Sequence, residues 1–169
     1  EATDHVVSLV NASRNEIIFT SGATESNNIA ILGLKEFGLN NNKKHIITSA
    51  IEHKAVLEPI QELEKIGFEV DIINVDQSGR VNPKDIKDKI REDTLLISIM
   101  GVNNETGVIQ PISEIIEIIK DHSLISPLFF SGINAKIKNT IKKIIPKFLF
   151  DSISLFFKLS IILIMLLIL

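Results

Sequence analysis

The 169 residues contain no cysteine, no tryptophan and no tyrosine, and their aromatic complement is nine phenylalanines. Without a thiol the chain forms no disulfide, offers no thiolate to a metal and supplies no sulfur nucleophile. Cationic excess is lacking as well, since 18 Lys and Arg stand against 21 Asp and Glu for a net charge of -3. A nucleic-acid binder presents a basic face set with aromatic side chains, so no nucleic-acid partner is expected. The opening Glu1-Ala-Thr-Asp-His has neither the basic start nor the apolar core of a secretory leader, and a cytoplasmic location is expected. No initiator Met is present, and Val6, Val7 and Val10 share one helical face. The chain therefore reads as beginning inside a helix, as after an amino-terminal truncation. Long apolar runs are scarce too. The tail at residues 159–169 is apolar apart from Ser160, but it is about half as long as the ~20-residue stretch that spans a bilayer. Membrane contact through it is not expected.

What is present suits one domain with a real core, at 45% hydrophobic and 23% charged residues. From residue 16 to about residue 131, short apolar runs alternate with segments of helical period, the signature of a parallel sheet with helical crossovers. Strands are expected at residues 17–19, 45–49, 69–75, 94–100 and 127–131. A helix at 53–66 buries Val56, Ile60 and Leu63, with Pro59 tolerable only near the first turn. Asp76-Gln-Ser-Gly79 reads as a turn, and Asn82-Pro83 opens a helix with Ile86 and Ile90 inward. A polar loop at 101–107 precedes a helix at 112–120. Beyond Gly132, Lys136, Lys138, Lys142, Lys143 and Lys147 crowd a segment otherwise rich in Ile and Asn. The expected division is residues 1–131, a divergent continuation at 132–158 and the apolar tail at 159–169.

The most informative stretch is Glu16-Ile-Ile-Phe-Thr-Ser-Gly-Ala-Thr-Glu-Ser-Asn-Asn28. It reads as a strand running through a glycine turn into a helix. Gly22 allows backbone angles that other residues resist. Thr24 is read as the helix N-cap, with Ile29, Leu32 and Leu34 starting an apolar face. Backbone N–H groups around residues 23–26 then face outward with no helical partner, which suits a phosphate.

Two further motifs follow in order, Ile51-Glu-His-Lys-Ala-Val56 and Met100-Gly-Val-Asn-Asn-Glu-Thr-Gly-Val-Ile-Gln-Pro-Ile112. With Phe19-Thr-Ser-Gly-Ala-Thr-Glu-Ser-Asn-Asn28 they closely resemble the cysteine desulfurases, pyridoxal-phosphate enzymes of the class V aminotransferase group, from about residue 2 to residue 121 and more loosely over 128–158. The resemblance implies an α/β fold, part of the large domain of the aspartate-aminotransferase-type (fold type I) architecture, with a mostly parallel sheet and helices on both faces. It implies pyridoxal 5'-phosphate as cofactor. Ala23 and Thr24 would hold its phosphate, His53 would lie on the ring face and take part in proton transfer, and Asn104 would bond the ring's 3-hydroxyl oxygen. L-cysteine is the implied substrate, giving alanine and a persulfide for iron–sulfur cluster assembly or thio-modification. A homodimer and a sulfur-acceptor protein are implied as partners.

The resemblance weakens toward the carboxyl end. Where the family carries an Asp paired with the pyridine nitrogen, this chain has Phe129-Phe-Ser-Gly-Ile-Asn-Ala135, with Ser131 at or beside the acid's place and Asn134 standing for the Gln that contacts the cofactor. The lysine that takes the cofactor's aldehyde is matched by Lys158 one place out of register, after Ser152 and Ser154 at positions near the phosphate. The mobile-loop cysteine that accepts sulfur has no counterpart, and neither does the arginine of the family's carboxy-terminal domain. The chain is expected to be a truncated piece of a cysteine desulfurase that does not catalyse the parent reaction by itself. The alternative is a non-enzymatic remnant acting as an interaction or membrane-associated module.

Overall fold

The computed structural model describes residues 2–10 and 13–120. Three strands, β1 (His45–Ser49), β2 (Glu69–Ile73) and β3 (Thr94–Ser98), form a parallel sheet in the order β2-β1-β3. Around it lie α1 (Ala2–Val10), a 3-10 turn at Arg14–Glu16, α2 (Ala23–Leu32), α3 (Lys35–Asn40), α4 (Lys54–Glu64), α5 (Pro83–Lys89) and α6 (Ile112–Lys120).

Every residue of β1 and β3 is buried. That is the pattern of parallel strands covered on both faces. Ile46 pairs with Leu96 and Ile47 with Ile97, so the strand period of two sends one pair to each side. On one side Ile47 and Ile97 pack with Ile86 and Ile90 beside α5 and with Ile115 and Ile119 of α6. On the other, Ile46 and Leu96 pack with Ile31 of α2 and with Val56, Ile60 and Leu63 of α4. Strand β2 is an edge among the described residues and leaves Ile72 exposed. The expected α/β fold with helices on both faces is what forms.

The helices after β1 follow the sequence closely. Asn82 accepts a bond from the Lys84 N–H at 3.0 Å, with Pro83 at the first helical position, so cap and proline act as expected. Helix α4 buries Val56, Ile60 and Leu63. Pro59, however, is the sixth residue of α4 and not part of its first turn. The helix continues through it, forgoing the bond from residue 59 to the Ala55 carbonyl.

Three expectations near the amino end are corrected. Residues 17–19 do not form a strand: a 3-10 turn precedes them, and Ile18 and Phe19 are 59% and 64% exposed. A β-prone run becomes a strand only with a ladder to join and a surface to pack on, and among the described residues neither is supplied there. Thr24 is the second residue of α2, whose cap is Gly22, with no side-chain cap. Helix α2 turns Asn27 and Ile31 inward, while Ile29 and Leu32 stay exposed and Leu34 packs partly on the core. The helix begins at Ala23 and docks on α4, and that docking sets its phase. The strand expected at 127–131 lies outside the described residues.

The amino end of the sheet is closed by a polar network. Buried His45 pairs through Nδ1 with Thr94 Oγ1 at 2.8 Å and through Nε2 with Asp71 Oδ2 at 3.1 Å, and Lys89 reaches the same carboxylate. Burial and the nearby Arg91 hold the His45 pKa below its ordinary value, against the bond to Asp71. Burial pushes the Asp71 carboxyl up, but its bonds to Lys89 and His45 outweigh this and leave it lowered. Below about pH 6.5 the unfolded chain takes up a proton that folded His45 resists, and below about pH 4 the same holds for Asp71. The stability that these two groups contribute is thus full above about pH 6.5 and is lost on acidification. Relative to His45→Gln, in which the His45 contribution is absent, the urea midpoint of the unaltered chain is expected to fall between about pH 6.5 and 5.

Gly38 in α3 marks a close approach. A Cβ there would meet the Lys43 carbonyl oxygen at 2.6 Å and two Phe68 ring carbons at 2.8 and 2.9 Å. Gly38→Ala is expected to cost about 1–3 kcal/mol in urea unfolding. Gly22→Ala, with nothing within 4 Å of the added Cβ, is expected to stay within about 0.5 kcal/mol.

Candidate cofactor site

In a parallel α/β sheet, ligands gather beyond the carboxyl ends of the strands, where chain leaving the sheet turns into helix starts and loops. Two of the residues singled out in the sequence emerge there. His53 follows β1 and caps α4, and Asn104 lies in the loop that follows β3. Since β1 and β3 are parallel neighbours, these two exits are side by side.

Helix α2 supplies the third part. Ile31, near its carboxyl end, shares a cluster with Phe68 and Leu39, which immediately precede or approach the amino ends of β2 and β1. Ala23 and Thr24 open this helix, which packs on α4, the helix that His53 caps. The first i to i−4 bond of this region runs from the Ser26 N–H to the Gly22 carbonyl at 3.1 Å. The Ala23 and Thr24 N–H groups precede it, and no side chain caps them. Gly22 is fully extended at φ 173 and ψ -179, a conformation open to any residue. The helix start, not glycine geometry, makes this a cradle.

One anion already sits beside it. Glu25 Oε2 accepts bonds from the Ser21 N–H at 2.6 Å and the Ser21 hydroxyl at 2.7 Å. The Ser21 hydroxyl, and then its amide, hold this exposed carboxyl below its usual value. Thr20 and Ser26 hydroxyls meet at 2.6 Å and brace the same turn.

At His53 the ring accepts the Ala55 N–H through Nδ1 at 3.1 Å. With Nδ1 engaged as an acceptor, a neutral ring carries its proton on Nε2. The residue is exposed, as is Asn104. Asn103, next to Asn104, is buried and organises the loop. Its Oδ1 accepts from the Glu105 and Thr106 N–H groups at 3.0 and 2.9 Å and from the Thr106 hydroxyl at 3.0 Å, and its Nδ2 donates to the Ile51 carbonyl at 3.2 Å. Gly107 closes the loop at φ 74, where glycine is favoured, and Val102 bridges to Ile109.

Glu52, immediately before His53, is buried. Its Oε1 accepts from the Ser49 hydroxyl at 3.2 Å and from the Met100 N–H. Burial pushes its carboxyl up to about 7, against both of those bonds. Sequence reading passed over Glu52, Asn103 and Glu25. The available signal for Glu52 was an acid placed between a strand built on Ile46-Ile47 and an amphipathic helix, where an unpaired carboxylate is costly if buried.

These donors suit an anionic aromatic cofactor. Uncapped amides at Ala23 and Thr24 fit a phosphate, while an exposed imidazole and an exposed carboxamide fit a ring and its oxygen substituent. Two buried oxygens, Asn27 Oδ1 on the inner face of α2 and Ser98 Oγ at the carboxyl end of β3, have no hydrogen-bond partner among the described residues. Polar capacity is therefore left over on the inner face of α2 and at the carboxyl end of β3. The expected contacts at Asn134, Ser152, Ser154 and Lys158 lie outside the described residues. No helix among the described residues is long and apolar enough to cross a membrane.

The aminotransferase class-V family model matches residues 1–127. The cysteine desulfurase IscS of Dictyoglomus turgidum is 52% identical over 124 residues, covering 73% of this chain and 31% of that protein. The mitochondrial cysteine desulfurase of Saccharomyces cerevisiae is 54% identical over 114 residues, covering 68% of this chain and 23% of its own length. Among solved structures, DndA of Streptomyces lividans superposes with a TM-score of 0.67 at 53% identity, over 71% of this chain and 34% of that one. SspA in complex with cysteine gives a TM-score of 0.65 at 43% identity, over 72% and 35%. The chain thus spans about a third or less of the length of these relatives. It belongs to the aminotransferase class-V family, on the cysteine desulfurase branch.

Proposed function

We propose that residues 1–131 are part of the large, pyridoxal-phosphate-holding domain of a cysteine desulfurase, continued in divergent form through 132–158 and ending in an apolar tail at 159–169. What supports this most directly is the uncapped start of α2 in a fold whose parallel strands also deliver His53 and Asn104 at their carboxyl ends. The Ala23 and Thr24 amides, with the Thr24 hydroxyl, bind the phosphate. His53 covers one face of the ring, and its Nε2 is the atom that holds or passes a proton at the substrate's alpha carbon. Asn104 would orient the ring through its 3-oxygen, helped by Asn134, while Ser152 and Ser154 would add contacts near the phosphate and Lys158 would take the aldehyde. Bound there, pyridoxal phosphate supplies an electron sink for bonds at the substrate's alpha carbon.

The substrate class is L-cysteine, and the parent reaction leaves alanine and a persulfide that a sulfur-acceptor protein receives. These 169 residues do not complete that cycle by themselves. A sulfur-accepting thiolate is required, and the chain contains no cysteine. Ser131 in place of an acid also leaves the ring nitrogen without the partner that keeps it protonated and strengthens the electron sink. A homodimer and a cytoplasmic location complete the proposal.

The purified chain is expected to take up pyridoxal phosphate, seen as a shift in its absorbance, with Thr24→Val weakening binding about tenfold. Borohydride reduction and peptide mapping are expected to find the label on Lys158. Incubation with L-cysteine is expected to release no alanine. Absence of any uptake overturns the cofactor assignment, label elsewhere removes Lys158, and alanine production overturns the inactivity.

A further inference from the structure

The exits of β1 and β3 are held by two crossed ties. In one, the Glu52 carboxylate after β1 receives the N–H of Met100 just past β3, together with the hydroxyl of Ser49. In the other, Asn103 in the loop after β3 donates from Nδ2 to the Ile51 carbonyl after β1. The first tie ends one residue before His53 and the second one residue before Asn104. Asn103 also gathers the Glu105 and Thr106 amides, so the loop's shape and its attachment depend on the same side chain. Neither Glu52 nor Asn103 has the exposure expected of a group that meets substrate, since they are 8% and 9% accessible.

A buried carboxylate between two strand exits is an expensive connector where an apolar side chain would pack at lower cost. Its chemistry suits the place. Beyond Ser98 the β3 backbone leaves the ladder, and its next free amide needs an acceptor that β1 no longer supplies. Glu52 is that acceptor, and its shared bond to Ser49 fixes the carboxylate from the β1 side.

We propose that Glu52 is a positioning residue, which through Met100 and Ser49 sets the loop carrying Asn104 in register with the turn carrying His53. This rests on the cofactor assignment only in naming what the two residues are positioned for. The raised carboxyl of Glu52 supplies a specific readout. Burial is the largest influence on it, and the groups bearing on it are the Met100 amide and the Ser49 hydroxyl.

The test uses the full chain and its Glu52→Ala and Glu52→Gln variants. In the unaltered chain the Met100 amide resonance is expected to titrate with a midpoint of about 7, and Glu52→Gln is expected to abolish that titration. In Glu52→Ala, amides at 101–107 are expected to exchange at least about tenfold faster while those of β1 keep their protection, with Gln restoring most of the loop's protection. Pyridoxal phosphate binding is expected to weaken about tenfold in Glu52→Ala and to recover in Glu52→Gln. Equal acceleration of loop and β1 amides would show general destabilisation and overturn the positioning role. So would an unchanged loop, or cofactor binding unaffected by a loosened loop. If the unaltered chain takes up no cofactor, the cofactor assignment fails and the loop exchange with its Gln rescue decides Glu52 alone.

Discussion

The pairing of β1 with β3 is the constraint on which the remaining structure depends. Both strands are buried at every position, so their register decides which side chains enter each half of the core. A slip of one residue would exchange Ile46 with Ile47 across the sheet and send Thr48 into the cluster beside α5 and α6. The register is irregular between His45 and Ile46, at the end where His45 and Thr94 bond side chain to side chain. From there to Ser98 the ladder is regular, and Thr48 adds a bond from its hydroxyl to the Ser98 carbonyl at 3.1 Å. The same register that fills the core therefore places the two strand exits next to each other.

The two ends of this pair treat buried polarity differently. At the amino end His45 has both ring nitrogens engaged, and its carboxylate partner is shared with Lys89. A satisfied network of this kind specifies structure and leaves nothing for a ligand. At the carboxyl end Glu52 and Asn103 are tied down, but Ser98 Oγ is not, and neither is Asn27 Oδ1 on the inner face of α2. Leaving a buried polar atom unpaired typically costs about 1–3 kcal/mol. In a parallel sheet the amino end is the structural end and the carboxyl end carries the binding groups. Here that division appears in the hydrogen bonds themselves.

Elements with strong periodicity were legible in the sequence. Val56, Ile60 and Leu63 gave α4, Asn82-Pro83 gave the start of α5, and the short apolar runs Ile46-Ile47 and Leu95-Leu96-Ile97 gave β1 and β3. Residues 17–19 were misread because β-propensity describes a fit to a partly buried surface, and composition cannot reveal whether that surface is present. Thr24 was misread as a cap because Ser, Thr and Gly all satisfy the rule, and the docking of α2 on α4 decided among them. His53 and Asn104 were legible only as members of a motif. Glu52 was hidden because its role is set by the Met100 amide 48 positions away, a pairing that exists only once the strands are in register.

The cradle at α2 illustrates how an apparent obstacle fits the proposed use. Glu25 places a negative charge at the same helix start that is to receive a phosphate, and a helix N-terminus favours one anion as readily as another. Its carboxylate, however, bonds Ser21 and not Ala23 or Thr24, so the donors nearest the first turn are left over. Glu25 is also exposed. Water can take over its hydrogen bonds if a phosphate displaces it, and solvent screening limits the repulsion if both anions remain. A buried acid at this point would close the site, as burial at Glu52 makes charge costly. The two glutamates thus have opposite consequences: the exposed one shapes a turn without blocking the cradle, and the buried one fixes the loop beside it.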